Sequence, residues 1–250
     1  MEEYIYGRNP VREALQKGAP VNRVLLAKGS SQSGRNRDIE ALARKAGVPV
    51  DTVDRKILSE RAGSEHHQGV VAQLAPFEYT DVADLLERAR SRGEAALLVI
   101  CDHIEDPHNL GAILRSAEAF GAHGVVLPKK RSAQMTGTVV KASAGAALHL
   151  PVARVGNLVQ AVEECKAAGL WIAATDMDGE ELGNAAALGG ALAVVIGNEG
   201  HGISPLLKKH CDFTVRIPMK GTIGSLNASA AAAIVLYEIV RRQQQGEGPR

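Results

Sequence analysis

Three polar segments of the sequence, each placed after an apolar run, contain residue types that could carry chemistry. The first, residues 102–109, holds His103, His108 and several carboxylates, a composition that could bind a metal ion. No second cluster of His or carboxylates follows at a recognisable ligand spacing. We therefore assign structural roles to this segment: Pro107 rigidifies the turn, and Asn109 caps the helix that follows. We expect no metal in this protein.

The second segment, residues 196–205, places Gly197, Gly200 and Gly202 after a buried-type strand. Glycines allow a tight turn or a close approach of the backbone to a ligand. The order G-x-x-G-x-G differs from the dinucleotide fingerprint G-x-G-x-x-G. The carboxylate of Glu199 would also repel a pyrophosphate, so a neutral or cationic ligand fits this segment better.

The pattern of the third segment, residues 217–229, predicts the end of a strand, a loop that contains glycine, and the start of a helix. It lacks the Gly-Lys-Ser/Thr of a phosphate loop, and the chain has no G-x-S-x-G nucleophile elbow, which disfavours a serine hydrolase. Locally, Ser225 reads as a helix N-cap. The small residues 228–233 would allow close packing in a core or across a dimer interface.

These segments must be positioned by a parallel sheet. Runs such as Leu97–Ile100 and Ala193–Ile196 lack polar alternation, as expected of parallel strands covered on both faces. Loops at the carboxyl ends of such strands are where open α/β sheets bind ligands. The predicted strands are Ala96 to Cys101, Gly124 to Leu127, Leu170 to Thr175, Leu192 to Ile196 and Asp212 to Ile217, with helices over Leu110 to Phe120 and Ser225 to Arg242.

The first 75 residues read as a smaller, complete α/β unit. The predicted strands are Val21 to Ala27, Val48 to Val53 and Val70 to Leu74, alternating with helices that start near Asn9, Asn36 and Asp54. Pro76 and the polar residues 78–81 interrupt this pattern. We therefore predict a first domain over 1–74, a linker over 75–90 that includes a helix from Val82, and a second domain over 91–250.

Composition bounds the class of protein. With 250 residues, 45% hydrophobic and 23% charged, the chain is globular, and its 3% aromatic content argues against a wide aromatic binding surface. Cys101, Cys165 and Cys211 are widely spaced and read as reduced cytosolic thiols. No signal peptide or apolar run of membrane-spanning length is present, so we expect a cytoplasmic protein without membrane contact.

The net charge of +1 is unevenly distributed. Residues 1–73 contain 12 Lys and Arg against 9 Asp and Glu, while residues 74–250 contain 17 against 19, giving +3 and −2. The loop from Lys28 to Arg37, with Arg35 between them, is a cationic segment suited to phosphate contacts. On charge alone, a solvated surface loop explains it equally well.

Taken together, the three segments resemble a known family. Asp106-Pro107-His108-Asn109-Leu110-Gly111-Ala112-Ile113-Leu114-Arg115, then Ile196-Gly197-Asn198-Glu199-Gly200, then Ile217-Pro218-Met219 through Ser225-Leu226-Asn227 are similar, in order and separation, to the three motifs of the SpoU/TrmH RNA 2′-O-ribose methyltransferases of the SPOUT superfamily. The opening residues 5–15 resemble the substrate-binding domain fused to some members. Within the family, the combination is most similar to enzymes that methylate a guanosine of 23S rRNA.

The resemblance implies both fold and activity. The expected fold is α/β, with a small N-terminal RNA-binding domain like ribosomal protein L30e and a C-terminal domain with a deep trefoil knot, assembled as a homodimer. The expected reaction is methylation of a guanosine ribose 2′-hydroxyl of 23S rRNA or its precursor, with S-adenosyl-L-methionine as the methyl donor. By the same resemblance, the cofactor lies against Gly197, Ile217 and Leu226, flanked by Asn198, Gly200, Met219 and Asn227.

The implied catalytic residues are Arg115, Asn109, Glu199 and Ser225. Since an arginine guanidinium holds its proton firmly, we expect Arg115 to bind a neighbouring phosphate and orient the ribose, and to remove the proton itself only if that phosphate assists. Asn109 would position the substrate, and Glu199 and Ser225 would shape the site. The alternatives are a tRNA or another rRNA nucleotide, as in resistance-type relatives, or an RNA-binding adaptor without activity.

Overall fold

The structure is a computed structural model of the chain, and it describes residues 3–16, 18–29, 36–222 and 224–245. Two compact units are present. The first is Met1–Glu78 together with Met135–Val140, and the second is Tyr79–Gln134 together with Lys141–Arg250. Arg35 of the predicted cationic loop lies outside the described residues.

The first unit is a four-stranded mixed sheet with helices. Its elements in chain order are β1 (Glu3–Tyr6), α1 (Arg8–Gln16), β2 (Val21–Ala27), α2 (Arg37–Lys45), β3 (Val50–Val53), α3 (Arg55–Ala62) and β4 (Val70–Leu74). The strand order is β1-β4-β2-β3, in which only β2 and β3 run parallel. The strands predicted at Val21–Ala27 and Val70–Leu74 are confirmed over those bounds, whereas the sequence pattern does not predict β1.

Packing in the core of this unit explains the apolar pattern of its sequence. Val11 of α1 and Ile39 of α2 are fully buried against Leu26 of β2, so the helices present apolar residues to the sheet. Asn36 precedes α2, and Gly18 and Gly47 follow α1 and α2 with a φ of 70° each, a conformation that glycine adopts without strain. Both helices therefore end directly before a glycine turn.

The second unit is a six-stranded parallel sheet. Its elements are α4 (Val82–Arg92), β5 (Leu97–Cys101), α5 (Pro107–Ala119), β6 (Gly124–Pro128), α6 (Gly137–Ala142), β7 (Val152–Val155), α7 (Leu158–Ala167), β8 (Trp171–Glu181), β9 (Leu192–Ile196), α8 (Pro205–Lys209), β10 (Phe213–Arg216) and α9 (Ala228–Gln245). The order is β10-β8-β9-β5-β6-β7, with every pairing parallel. The parallel sheet predicted from the apolar runs is confirmed.

Both faces of this sheet are covered. All residues of β5 and β9 are buried; alternate residues such as Leu98 and Ile100 pack in one cluster with Leu85 of α4 and Val162 of α7. Helices α5 and α9 pack against each other, and α9 contacts β9. Burial on both faces is the reason that the strands lack polar alternation.

Helix α4, within the predicted linker, belongs to the second unit. Asp81 and Asp84 form a capping box at its start, and Leu85 lies against Gly124 at the start of β6. A Cβ at Gly124 would lie 2.4 Å from Cδ2 of Leu85, so a larger residue there would force the Leu85 side chain to move. Among the described residues, no helix is long and apolar enough to span a membrane.

Strand β8 continues beyond its predicted end. The apolar pattern predicts an end at Thr175, but the strand runs to Glu181. Its pairing with β10 shifts register between Thr214 and Val215, so that Val215 lies opposite Glu180. The extension places residues 176–178 beside the loops that follow β9 and β10.

Candidate functional site

A cleft of about 320 Å³ opens where β8, β9 and β10 lead into their following loops. This volume is within the range typical of small-molecule sites. The lining residues come from three stretches of the second unit. They are Thr175, Asp176, Met177, Ile196, Gly197, Asn198, Glu199, His201, Gly202, Val215, Arg216, Ile217, Met219, Ser225, Leu226, Ala228 and Ala231.

The loop after β9 is closed on itself by main-chain hydrogen bonds. The N–H of Asn198 donates to the carbonyl of Gly202 at 3.0 Å, and the N–H of Gly202 donates back at 2.8 Å. The Oδ1 of Asn198 also accepts the N–H of Gly200 at 2.7 Å. A Cβ at Gly197 would lie 2.3 Å from the carbonyl carbon of Gly202, so only glycine permits this close crossing.

A polar network joins the three motif segments beside the cleft. Asn109 Nδ2 donates to Glu199 Oε1 at 3.0 Å, and Asn227 Nδ2 donates to Asn109 Oδ1 at 2.9 Å. Asn227 Nδ2 also donates to Glu199 Oε1, which further accepts the N–H of Ala228 at 3.3 Å. The side chains of Asn109, Glu199 and Asn227, which are far apart in sequence, are therefore held in one arrangement.

The helix caps differ from those that the sequence suggests. Asn227, and not Ser225, precedes α9, and its Oδ1 accepts the N–H groups of Ser229 and Ala230 at 3.0 and 3.3 Å. Asp106, and not Asn109, caps α5 by accepting the N–H of His108 at 2.9 Å. Asn109, inside the first turn of α5, therefore has its side-chain amide free for the network. Asn227, at the start of α9, caps the helix through Oδ1 and joins the network through Nδ2.

A buried carboxylate holds together the loops that follow β5 and β9. Asp102 is 1% exposed; its Oδ2 accepts the N–H of Ser204 at 2.7 Å, and its Oδ1 lies 2.6 Å from Nδ1 of His103. The carbonyl of His103 in turn accepts Nδ2 of Asn198 at 3.0 Å. The loops after β5 and β9 are thereby fixed to each other.

The sequence patterns do not assign three cleft residues of β8, Thr175, Asp176 and Met177, to the site. Thr175 is the last residue of the predicted strand, and Asp176 and Met177 lie in its extension. Burial alone would raise the pKa of Asp176, but the hydrogen bond from Lys208 at 2.8 Å and bonds from backbone N–H groups hold that pKa below its ordinary value. Their position at the carboxyl end of a predicted parallel strand was the available signal.

The predicted site residues fall into three groups. Gly197, Asn198, Ile217, Met219 and Leu226, expected at the cofactor, line the cleft, as do Glu199 and Ser225. Gly200, Asn109 and Asn227 lie in the adjoining loop and network. Arg115 is exposed on α5, and within the described ranges it forms no hydrogen bond or ion pair.

The lining favours an uncharged or cationic organic ligand. Ile217, Met219 and Leu226 offer apolar surface, and the carboxylates of Asp176 and Glu199 would disfavour a phosphate. In the part of the chain that is described, no group of three or more His, Cys, Asp or Glu could hold a metal ion.

The comparisons with known proteins agree with this site. The model of the SpoU rRNA methylase family matches residues 96–237, and that of the RNA 2′-O ribose methyltransferase substrate-binding domain matches residues 4–80. The chain belongs to the SpoU family. The resemblance drawn from the three motifs is thus confirmed, as is the α/β fold with an N-terminal substrate-binding domain.

Relatives of the SpoU family match nearly the whole chain. The TrmH-family tRNA/rRNA methyltransferase YacO of Bacillus subtilis is 42% identical over 241 residues, 96% of each chain. The SpoU methyltransferase AviRb of Streptomyces viridochromogenes, solved with AdoMet, is 30% identical with a TM-score of 0.74, covering 98% of this chain and 92% of AviRb. An AdoMet-bound rRNA methyltransferase of Sinorhizobium meliloti is 26% identical with a TM-score of 0.73, covering 96% and 87%.

Proposed function

We propose that this SpoU-family enzyme transfers a methyl group from S-adenosyl-L-methionine to the ribose 2′-hydroxyl of a guanosine in 23S rRNA or its precursor, as RlmB-type members do. The observation that carries the proposal is the cleft with its adjoining network, in which all three SpoU motifs meet. The N-terminal substrate-binding domain supports a large RNA as the partner.

The residues present fit this cofactor. S-Adenosylmethionine carries a cationic sulfonium and no phosphate, and the cleft offers carboxylates at Asp176 and Glu199 with no phosphate-binding loop. Gly197, Ile217 and Leu226 would hold it through main-chain groups and apolar contact. The cofactor supplies an electrophilic methyl group when bound.

The chain's own residues have to position the 2′-hydroxyl in line with that methyl group and assist loss of its proton. The exposed guanidinium of Arg115 is free within the described ranges to bind a phosphate next to the target ribose. Asn109, held by Glu199 and Asn227, would position the substrate. Ser225 and Glu199 would shape the wall of the cleft.

The assembly and the domain limits belong to the same proposal. We infer a homodimer, because Ile234 and Tyr237 leave apolar surface exposed on α9, at 41% and 57%. We also propose two domains, over 1–74 and 91–250, joined by a linker over 75–90. The second domain would contain a trefoil knot, and the protein would be cytoplasmic. Cys101 and Cys165 are buried and unpaired, which suits a reducing compartment.

Mapping ribose methylation tests the target. In total RNA from cells that lack this protein, we expect one guanosine of 23S rRNA to lose its 2′-O-methyl group, and the purified enzyme with tritiated S-adenosylmethionine to restore it on that RNA. Loss of a methyl group from a tRNA instead would support the tRNA alternative. Unchanged methylation of all RNA, with no transfer in vitro, would contradict the enzyme function.

A further inference from the structure

The second unit carries a basic run directly after β6. Lys129, Lys130 and Arg131 follow Pro128, and all three are exposed. Within the described residues, none of them forms an ion pair with a carboxylate, whereas Lys166 of the same unit is paired with Asp212 at 2.8 Å. These three consecutive cations lie in a unit whose sequence is slightly acidic overall.

The run lies at the same edge of the sheet as the cleft. Strand β6 pairs in parallel with β5, and β5 with β9, so the carboxyl ends of all three strands face one edge. Since neighbouring strands are about 4.8 Å apart, the run starts about one strand spacing from the loop leading to Asn109 and two from the loop of Gly197.

Contacts to neighbouring elements hold the run in place, one through the side chain of Arg131 and one through the carbonyl of Lys129. Nη1 of Arg131 lies 3.5 Å from Nε2 of His103, whose other ring nitrogen is paired with the buried Asp102. Arg154 of β7 donates to the carbonyl of Lys129 at 3.2 Å. Arg131 itself has a φ of 54°, in the left-handed region.

We propose that Lys129, Lys130 and Arg131 bind the phosphates of the substrate RNA that flank the target nucleotide. This inference rests on the proposed function. An RNA strand presents phosphates in a row, and a positively charged rim beside a reaction site tracks that row without reading sequence.

Matched triple variants test the proposal. K129Q/K130Q/R131Q removes three charges from this edge, and R90Q/R92Q/K209Q removes three exposed charges from residues that precede β5 and β10, at the opposite edge. The measurements are the KM and kcat for methyl transfer to unmodified 23S rRNA, the Kd for S-adenosylmethionine, and the Kd for a short single-stranded RNA across a range of salt concentrations.

For K129Q/K130Q/R131Q, we expect a KM for RNA raised about tenfold and a salt slope of log Kd reduced by about 2, since each phosphate contact on a single strand contributes about 0.7. The kcat and the Kd for S-adenosylmethionine should not change, and R90Q/R92Q/K209Q should match the unaltered enzyme. An unchanged KM and salt slope, or equal effects in both triple variants, would overturn the inference.

Two further outcomes separate the proposals. If the unaltered enzyme binds RNA but transfers no methyl group, the proposed function fails, while the salt slope still tests the basic run. If the triple variant loses binding of poly-glutamate but keeps that of RNA, the run serves an acidic protein and the inference is overturned.

Discussion

Arg115 differs from Asn109, Glu199 and Asn227 in having no hydrogen-bond or ion-pair partner within the described ranges. Asn109, Glu199 and Asn227 satisfy one another, so their role is to hold a fixed geometry. An exposed guanidinium on the helix that starts beside this network is instead available for an external anion, and a phosphate matches its planar donor fork. Of these four residues, Arg115 is therefore the one whose side chain is available to contact the substrate.

Replacing Arg115 with Ala should abolish methyl transfer while leaving the Kd for S-adenosylmethionine nearly unchanged, because Arg115 does not line the cleft. Arg115→Lys, which keeps the charge but loses the fork, should recover little activity. Glu118→Gln on the same exposed helix is the control and should be fully active. Methyl transfer from tritiated cofactor and calorimetric cofactor binding are the measurements. Full activity of Arg115→Ala would contradict its assignment.

The site residues are predictable from the sequence only through the family motifs. Spacing alone assigns Asn109 and Ser225 to helix caps, because an Asn or Ser at a helix start is usually a cap. The caps are in fact Asp106 and Asn227, and the contacts between Asn109, Glu199 and Asn227 cross long stretches of sequence. Such contacts depend on which strands are neighbours, and no local pattern reports that.

At the scale of elements, the apolar runs predicted most strands, including the short edge strands β3 and β10, but β1 and β7 were not predicted. β9 is buried along its whole length and matches its predicted bounds. β1 and β7 have four residues each, lie at sheet edges, and owe their existence to pairing with β4 and β6. The extension of β8 past Thr175 has the same origin, since it depends on the shifted pairing with β10.

Helix α9 is anchored by a cluster of charges at its end. Glu238 accepts hydrogen bonds from Arg241 and Arg242 at 2.8 and 2.9 Å, and Arg242, 5% exposed, also donates to the carbonyl of Ala185 at 3.1 Å. The hydrogen bond from Arg241 is the main cause that lowers the pKa of Glu238 to about 2, opposed by burial and assisted by Arg242. The carboxylate form therefore stabilises the folded state.

Glu238→Gln should lower the free energy of unfolding at pH 7 by about 3 kcal/mol, from the difference between a pKa of about 2 when folded and about 4.5 when unfolded. This contribution is fully present above the unfolded pKa and declines as the pH falls toward the folded one. The deficit of the variant should therefore shrink by about 1 kcal/mol between pH 7 and pH 4. Urea unfolding at both pH values measures it, with Glu118→Gln as the exposed control. A deficit independent of pH would contradict the ionic origin.

For the whole molecule, the net charge of +1 conceals how charge is distributed. The N-terminal 73 residues are the basic part of the sequence, in line with a substrate-binding domain, and the second unit concentrates unpaired positive charge in residues 129–131. The net charge of the chain reports neither of these basic regions, because RNA responds to the charge density within a Debye length of about 8–10 Å. The net charge of the whole chain is therefore a poor guide to RNA binding.

The proposed homodimer follows from the apolar surface that one chain leaves uncovered. Tyr237 of α9 is 57% exposed and packs edge-on against Phe120 with ring centroids 6.2 Å apart, and Ile234 lies one turn before it.

Tyr237→Glu places a charge in this patch, so we expect it to convert the dimer to a monomer. The free energy of unfolding should change little, since the side chain is exposed to solvent in the single chain. Light scattering coupled to size exclusion measures the mass. Leu206→Glu, on α8 and 64% exposed, is the matched control and should stay dimeric. A Tyr237→Glu variant that remains a dimer would place the interface elsewhere, because a carboxylate buried without a partner costs several kcal/mol.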